Sequence, residues 1–499
     1  MSSLLLLLST QASAQTFRYA EDQAPGIVNP LFSTTMSEAR VAELLFDSLY
    51  SDDQELATTP ELVQSDELSA DGLSLTLRLR SDITWHDGSP LSADDVAFTI
   101  GAMKDPGTLS TEAGRVAWIE SVQVDGPLAL TLRFTEPQMA PQDKLTFKIL
   151  PAHAFSGTQV SRGDSFKTRP IGTGPYKLIR YNDDNSITFQ ANPDNRGGQA
   201  RIGEIVMREV SDKSYQAKLL LYQSLEGLVR VLPRDLAVLQ NNRDIELYPY
   251  QTNSWWYVGF NQERAPFDDV RVRSALSYLV DVNALLAPIG TGEVLSGPFV
   301  RSSPYYNHKV ASRDYDEGQA AALLEDAGFV REAGMWSRDG EPLTLTLSAH
   351  RTLESAQEVV INLQSQLRSG GVQVEVDFLD EAEWKAKVWR ERDYDLVLSQ
   401  WSFDRNEDIR EQLHSSGARN FGGYNNPEVD ALLDEARSTR DPHVKKASLR
   451  QVHALVAQDT PMIFLWTLDS YSALSTKVED VVIHPFYFFT WVRQWHMKG

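Results

Sequence analysis

Between Asp71 and Phe98 the chain reads DGLSLTLRLRSDITWHDGSPLSADDVAF, and this stretch leaves the fold little freedom. Leu73, Leu75, Leu77 and Leu79 alternate with Ser74, Thr76, Arg78 and Arg80, the period-two pattern of a strand with one buried and one wet face. Asp71-Gly72 supplies the turn before it. After Trp85, Asp87-Gly88 and Pro90 break the strand. Ser92 with Asp95 three residues on then makes a capping-box start for a helix carrying Val96, Phe98 and Ile100. His86 and Asp87 have the types of an acid–base or metal pair, but neighbours on a turn point apart, so they read as scaffold.

A chain of 499 residues exceeds the size at which one hydrophobic core stops growing, so two or three subdomains are expected. The net charge of -22 argues against a nucleic-acid partner, whose phosphates need clustered Lys and Arg, and mainly favours solubility. The absence of cysteine excludes disulfides, thiolate metal sites, cysteine catalysis and amino-terminal lipid attachment. An apolar run, Leu4 to Leu8, followed by Ala12-Ser13-Ala14 predicts a secretory signal over residues 1–14, cleaved before Gln15. The first basic residue, Arg18, lies beyond that site, as it would if the true start lay upstream. No later apolar run reaches the ~18 residues that span a bilayer. The expectation is a soluble, exported protein of a Gram-negative periplasm.

The opening stretch resembles the cluster by which the family 5 extracytoplasmic solute-binding proteins are recognised: a strand, Trp-x-Asp-Gly, then Ala-Asp-Asp-Val on a helix. Two further stretches carry the same resemblance. Arg169-Pro170-Ile171-Gly172-Thr173-Gly174-Pro175-Tyr176 is not a phosphate loop, because no Lys-Ser/Thr follows its last glycine and Tyr176 to Leu178 with Ile187 to Phe189 reads as a hairpin. Its glycines read as permitting tight turns. Residues 250–273, YQTNSWWYVGFNQERAPFDDVRVR, match an aromatic strand, a Pro-Phe-Asp-Asp element and a helix beginning Arg-Val-Arg, with Asp268 and Asp269 at its N-terminus. The match departs at Leu225-Glu226-Gly227-Leu228, where relatives carry Gly-Glu-Ile-Asp. Beyond residue 273 strands and helices alternate: helices Glu317 to Ala327, Glu354 to Leu367 and around Trp384, and strands Leu343 to Ser348, Val372 to Phe378 and Tyr394 to Ser399. Gly370-Gly371 closes the second of those helices.

The resemblance covers nearly the whole mature chain. It implies an α/β, two-lobed periplasmic-binding-protein fold of type II, in the large three-subdomain variety, with mixed sheets and two hinge segments, near Tyr250 to Val258 and Phe464 to Tyr471. Lobe I would comprise residues 15–255 plus 470–499, with an inserted subdomain at about 50–168; lobe II would comprise 256–469. The implied function is capture of a short peptide between the lobes and its delivery to the membrane permease of an ABC importer, by a monomer without cofactor. The same receptor class for an oligosaccharide, an opine or a nickel complex stays open.

Catalysis finds little support. No nucleophile elbow or HExxH helix fixes a site, so a secreted carboxylate-dependent hydrolase is the distant alternative, and no catalytic residue is assigned. The histidines are scattered without paired helical spacing, and no metal ligand is assigned. From the resemblance, Asp404 of Trp401-Ser402-Phe403-Asp404 would receive the ligand's amine and Arg351 its carboxylate, with Trp401 and Phe403 packing nearby. The alternative is that Asp404 and Arg351 pair with each other or with neighbours. Ser33 and Thr34 would line the cleft from the larger lobe. Trp255 and Trp256 lie near the hinge, where one reaches the ligand or both belong to the core.

Overall fold

The alternating leucines do form a strand, Ser74–Leu79, in which Leu75, Leu77 and Leu79 are fully buried. Leu73 precedes it and stays 39% exposed. Antiparallel partners Val63–Leu68 and Ala129–Phe134 flank the strand, and Ile119–Gly126 extends the sheet beyond the second of them. The helix Ala93–Lys104 starts at the expected capping box. Asp95 does more than cap, however. Its buried carboxylate accepts from the Ser92 amide (2.8 Å), the Trp85 indole N–H (3.3 Å) and the Ala152 amide (2.8 Å), tying turn, helix and a distant loop together.

The computed structural model describes residues 15–498 except 55, 158, 252–253, 354, 403–407, 440 and 485–486. The chain forms two units, one running up to Tyr250 and resuming at Tyr471, the other Gln251–Ser470. In the first, Thr16–Glu21 pairs in parallel with Glu204–Glu209 and with Gly227–Leu228, and the hairpin Tyr176–Tyr181/Ile187–Ala191 continues the sheet antiparallel. The sheet is therefore mixed, as alternation of strand and helix predicts.

The stretches around Trp85 and Gly172 meet in this unit. His86 Nδ1 accepts from the Gly172 amide (3.2 Å), its Nε2 lies 3.2 Å from the Gly174 carbonyl, and its backbone N–H donates to Gly172 O (2.8 Å). Asp87 turns instead to His153 Nε2, 2.8 Å away, so the neighbours do point apart. Burial pushes the His86 imidazole down to about 4, keeping it neutral with the proton on Nε2. The glycines serve closeness rather than tight turning. A Cβ on Gly172 would stand 1.7 Å from Leu45 O, and one on Gly174 2.5 Å from Leu45 C, so both let the loop lie on the end of helix Met36–Leu45.

The second unit is built on the sheet order Gln373–Leu379, Thr344–His350, Leu396–Ser402, Ser254–Phe260, Met462–Phe464. The first two pairings are parallel and the last two antiparallel. Ser254–Phe260 is buried throughout and alternates between two cores. Trp256, Val258 and Phe260 join the apolar cluster on one side, whereas Trp255 and Tyr257 join that on the other with Trp401 and Phe464. Period two in a strand buried on both faces accounts for the division. Gly370 ends helix Ala356–Ser369 and Gly371 follows at φ +91°, the left-handed closure expected of the pair.

Candidate functional site

Within the second unit, the strand ends Ser254–Phe260 and Leu396–Ser402 form the floor of a cavity of about 840 Å³, within the range of small-ligand sites. One wall is helix Glu381–Trp384, which continues as a π-helix over Lys385–Arg390 and presents Trp384, Val388 and Trp389. Its start is fixed by a capping box: Asp380 Oδ1 accepts from the Ala382 and Glu383 amides (2.9 Å each), and Glu383 Oε2 accepts from the Asp380 amide (2.9 Å). The opposite wall is the loop 418–424. Asn420 braces it, donating to His414 O (3.1 Å) and Tyr424 O (2.7 Å) and accepting from the Tyr424 amide (2.9 Å). Gly422 allows the loop to press on the strand end, since a Cβ there would meet Phe260 O at 2.6 Å.

Aromatic rings dominate the lining. Trp389 and Phe421 stack across the mouth with centroids 5.7 Å apart and planes 11° from parallel, and Trp389 remains 48% exposed. Such a pair is a platform for flat apolar groups. Deeper in stand Trp384, Trp401, Tyr257 and Tyr394. Burial pushes both phenols up, so they stay neutral.

Among the described lining residues Glu381 is the only carboxylate and Arg419 the only guanidinium. Glu381 is engaged by Lys385 Nζ (2.7 Å) and His350 Nε2 (3.0 Å), and His350 Nδ1 meets Thr352 Oγ1 (2.8 Å). Arg419 lies over the Trp401 ring, 5.6 Å from its centre. Three buried polar atoms of the lining have no hydrogen-bond partner among the described residues: Trp401 Nε1, Gln262 Nε2 and Gln412 Oε1. The arrangement suits non-covalent capture of a partly flat ligand with polar edges. Among the described residues, no cluster of three His, Asp or Glu side chains is placed to hold a metal ion.

The residues singled out from the sequence are dispersed. Trp401 lines the cavity and sits opposite Trp255 in the sheet register. Trp255 is fully buried behind it against Tyr257 and Phe464, and Trp256 is buried on the other face, its ring 6.0 Å from that of Trp466. Arg351 does not line the cavity; its guanidinium donates to Phe378 O (2.9 Å) beside an adjacent surface hollow. In the first unit, the amide and hydroxyl of Thr34 donate to Glu38 Oε2 (2.8 and 3.3 Å) and the Ser33 carbonyl accepts from Thr111 Oγ1 (3.3 Å). Phe403 and Asp404 lie outside the described residues. The reading of the sequence overlooked Trp389, Phe421, Arg419 and Gln412. The one signal available was Trp389 at the end of the cationic run KAKVWR, a costly residue to leave on a wet helix.

Comparison with known proteins bears on the family and the fold. The family described as bacterial extracellular solute-binding proteins, family 5 Middle, matches residues 57–420. The oligopeptide-binding protein AppA of Bacillus subtilis (strain 168) is 23% identical over 482 residues, covering 92% of this chain and 88% of the relative. Its solved structure in complex with a nonapeptide aligns with a TM-score of 0.75 at 22% identity, over 97% of this chain and 99% of that one. HbpA2 from Haemophilus parasuis aligns with a TM-score of 0.87 at 19% identity, over 97% and 100% of the two chains.

Proposed function

The chain belongs to the bacterial extracellular solute-binding proteins, family 5, and from that premise we propose that it captures a short peptide outside the cytoplasm and hands it to the membrane permease of an ABC importer. The observation that carries the ligand class is the 840 Å³ cavity of the second unit, whose aromatic walls are interspersed with polar side chains such as Gln262, Gln400 and Gln412. Peptides suit such a lining, having backbone donors and acceptors at short intervals and side chains to lie on the rings. The oligopeptide-binding relative supports the same choice. Export rests on the apolar run before Ala12-Ser13-Ala14, and among the described residues no helix is long and apolar enough to cross a membrane. Asp404 at the ligand's amine and a monomeric state belong to the same proposal.

The test is mass spectrometry of what the purified protein carries, followed by calorimetry with peptides of two to nine residues. One-to-one saturable binding of peptides is expected. Binding of hemin or a nickel–histidine complex, with every peptide inert, would overturn the peptide reading.

A further inference from the structure

Resting on the reading of this cavity as the ligand site, we propose that one end of it is a pit for a single apolar side chain of the ligand, with Gly259 as its floor and the Trp389–Phe421 stack, which bridges the mouth there, as its end wall. These three residues then set the size of the group admitted. The reasoning starts from the floor. Gly259 lies in Ser254–Phe260, a strand buried throughout, where glycine gives up β-propensity and packing. Its backbone does not demand glycine, since it is absent from the glycines of positive φ. Nor does a close backbone approach explain it: at Gly172 and Gly422 a Cβ would strike a carbonyl oxygen, whereas at Gly259 the nearest atoms all belong to side chains. They are the Tyr257 ring at 3.2 Å and a Val397 methyl at 3.3 Å, both of residues that line the cavity. A side chain at 259 would therefore grow into the cavity from its floor, and glycine leaves that floor at backbone level.

Just beyond Gly259 the cavity ends. The register sets Gly259 opposite Val397 and Phe260 opposite Leu396. Past that pair the buried Asn261 donates to Arg392 O (2.8 Å) and Tyr394 O (3.0 Å), tying the two strand ends together. The Gln262 amide donates to Gly422 O (2.9 Å) and holds the loop 418–424 over them. Phe421 of that loop packs against the apolar cluster that includes Val388, Tyr394 and Val397. Trp389 lies on the Phe421 ring from the last turn of the wall helix, where the Asp393 amide reaches back to Lys387 O (2.8 Å) before the chain enters the strand at Leu396. At the other end the described lining residues Thr352, Gln400 and Ser402 are exposed. A group that reaches the closed end meets rings and methyls, which stabilise hydrocarbon and give an unpaired charge nothing in return for its water. A peptide bearing a Leu or Phe side chain has this chemistry.

The experiment uses the full chain, its Gly259→Ala and Trp389→Ala variants, and two probe sets. The first is Ala-X-Ala, with X as Ala, Leu, Phe or biphenylalanine, read by calorimetry. Wild type should favour Leu and Phe over Ala by about tenfold or more. Gly259→Ala raises the floor and should lower the preference for Phe over Ala by about threefold or more, whereas Trp389→Ala opens the end wall and should raise the affinity for biphenylalanine relative to Phe by about as much. A merely structural role moves neither ratio. Wild-type affinities that do not depend on X, or a ratio left unchanged in either folded variant, overturn the pit and leave the peptide reading standing. Trp389 is half-exposed, so its removal spares the core and reads the end wall even if Gly259→Ala fails to fold. The second set, benzyl alcohol and biphenylmethanol read by ligand-observed NMR, addresses the pit apart from peptides. If every peptide is inert while Gly259→Ala weakens benzyl alcohol and Trp389→Ala favours biphenylmethanol, the pit stands and the peptide reading falls. With every peptide inert, alcohols that do not saturate at millimolar concentration, or that respond to neither substitution, overturn the pit as well.

Discussion

Replacing His86 by Phe should make the protein less stable at neutral pH and indifferent to a proton that the wild type feels. At pH 7.5 the variant loses the acceptor for the buried Gly172 amide and the donor to Gly174 O, although Asn192 Nδ2 still reaches that carbonyl at 3.3 Å. One buried donor left unpaired costs about 1 to 3 kcal/mol. The wild-type advantage then depends on pH. The folded imidazole titrates at about 4 and an unfolded one near 6.5, so between those values only the unfolded chain takes up the proton. Stability from this group is fully present above about pH 6.5 and lost as pH falls. At about 1.4 kcal/mol per pH unit the loss reaches about 2 kcal/mol at pH 5 and about 3 kcal/mol near pH 4. The difference between wild type and His86→Phe should therefore shrink to nothing near pH 5. Urea unfolding followed by circular dichroism from pH 7.5 to 4.5 measures it. Parallel stability curves for the two proteins, or a His86 ring that titrates near 6.5 by NMR, would refute the reasoning.

Gly172→Ala should lower the unfolding midpoint by several degrees in a thermal melt, because the added methyl meets the Leu45 carbonyl at 1.7 Å and only backbone movement relieves it, about 1 to 3 kcal/mol or more. Burial pushes the Glu61 carboxyl up to about 7, with nearby Asp47 adding to the shift. The folded state is thus penalised as pH rises from about 4.5 to 7, and Glu61→Gln should gain on wild type across that window; a constant difference between pH 5 and pH 8 would contradict it. Arg273 is 5% exposed and donates to the carbonyls of Thr460 (2.9 Å), Phe267 (2.8 Å), Asp268 (3.1 Å) and Asp459 (2.7 Å). Arg273→Met should cost about 3 kcal/mol or more in chemical denaturation, as four acceptors lose their common donor.

What could be read from the sequence was local. The alternating leucines, the Ser92–Asp95 box, the Asp269 cap that accepts from the Arg271 amide (2.8 Å) and the Gly370–Gly371 closure are each settled by residues a few positions apart. Local rules also kept His86 and Asp87 apart, since a turn separates their directions. They could not say that His86 would bind a glycine loop 86 residues away, nor that Asp95 would gather Trp85 and Ala152. The glycines of that loop were misread for the same reason. Glycine's freedom in φ is visible from type alone, whereas the space a Cβ would fill is known only once Leu45 is in place. At the site, one of the cavity's tryptophans, Trp401, could be singled out by its neighbours in sequence. Its companions Trp389, Phe421 and Arg419 come from segments whose meeting is a tertiary event.

The π-helical turn at Lys385–Arg390 has a bearing on how this wall changes over evolutionary time. A π-turn accommodates one residue more than an α-turn, so the azimuth of Trp389 is set by chain length as well as by residue type. Removing a single residue from that turn would let it close as α-helix, narrowing it and re-spacing the side chains within it, Val388 and Trp389 among them, while the residues beyond keep nearly their direction. Ligand preference at this wall can thus drift by a one-codon indel, a route invisible to any scan of point substitutions.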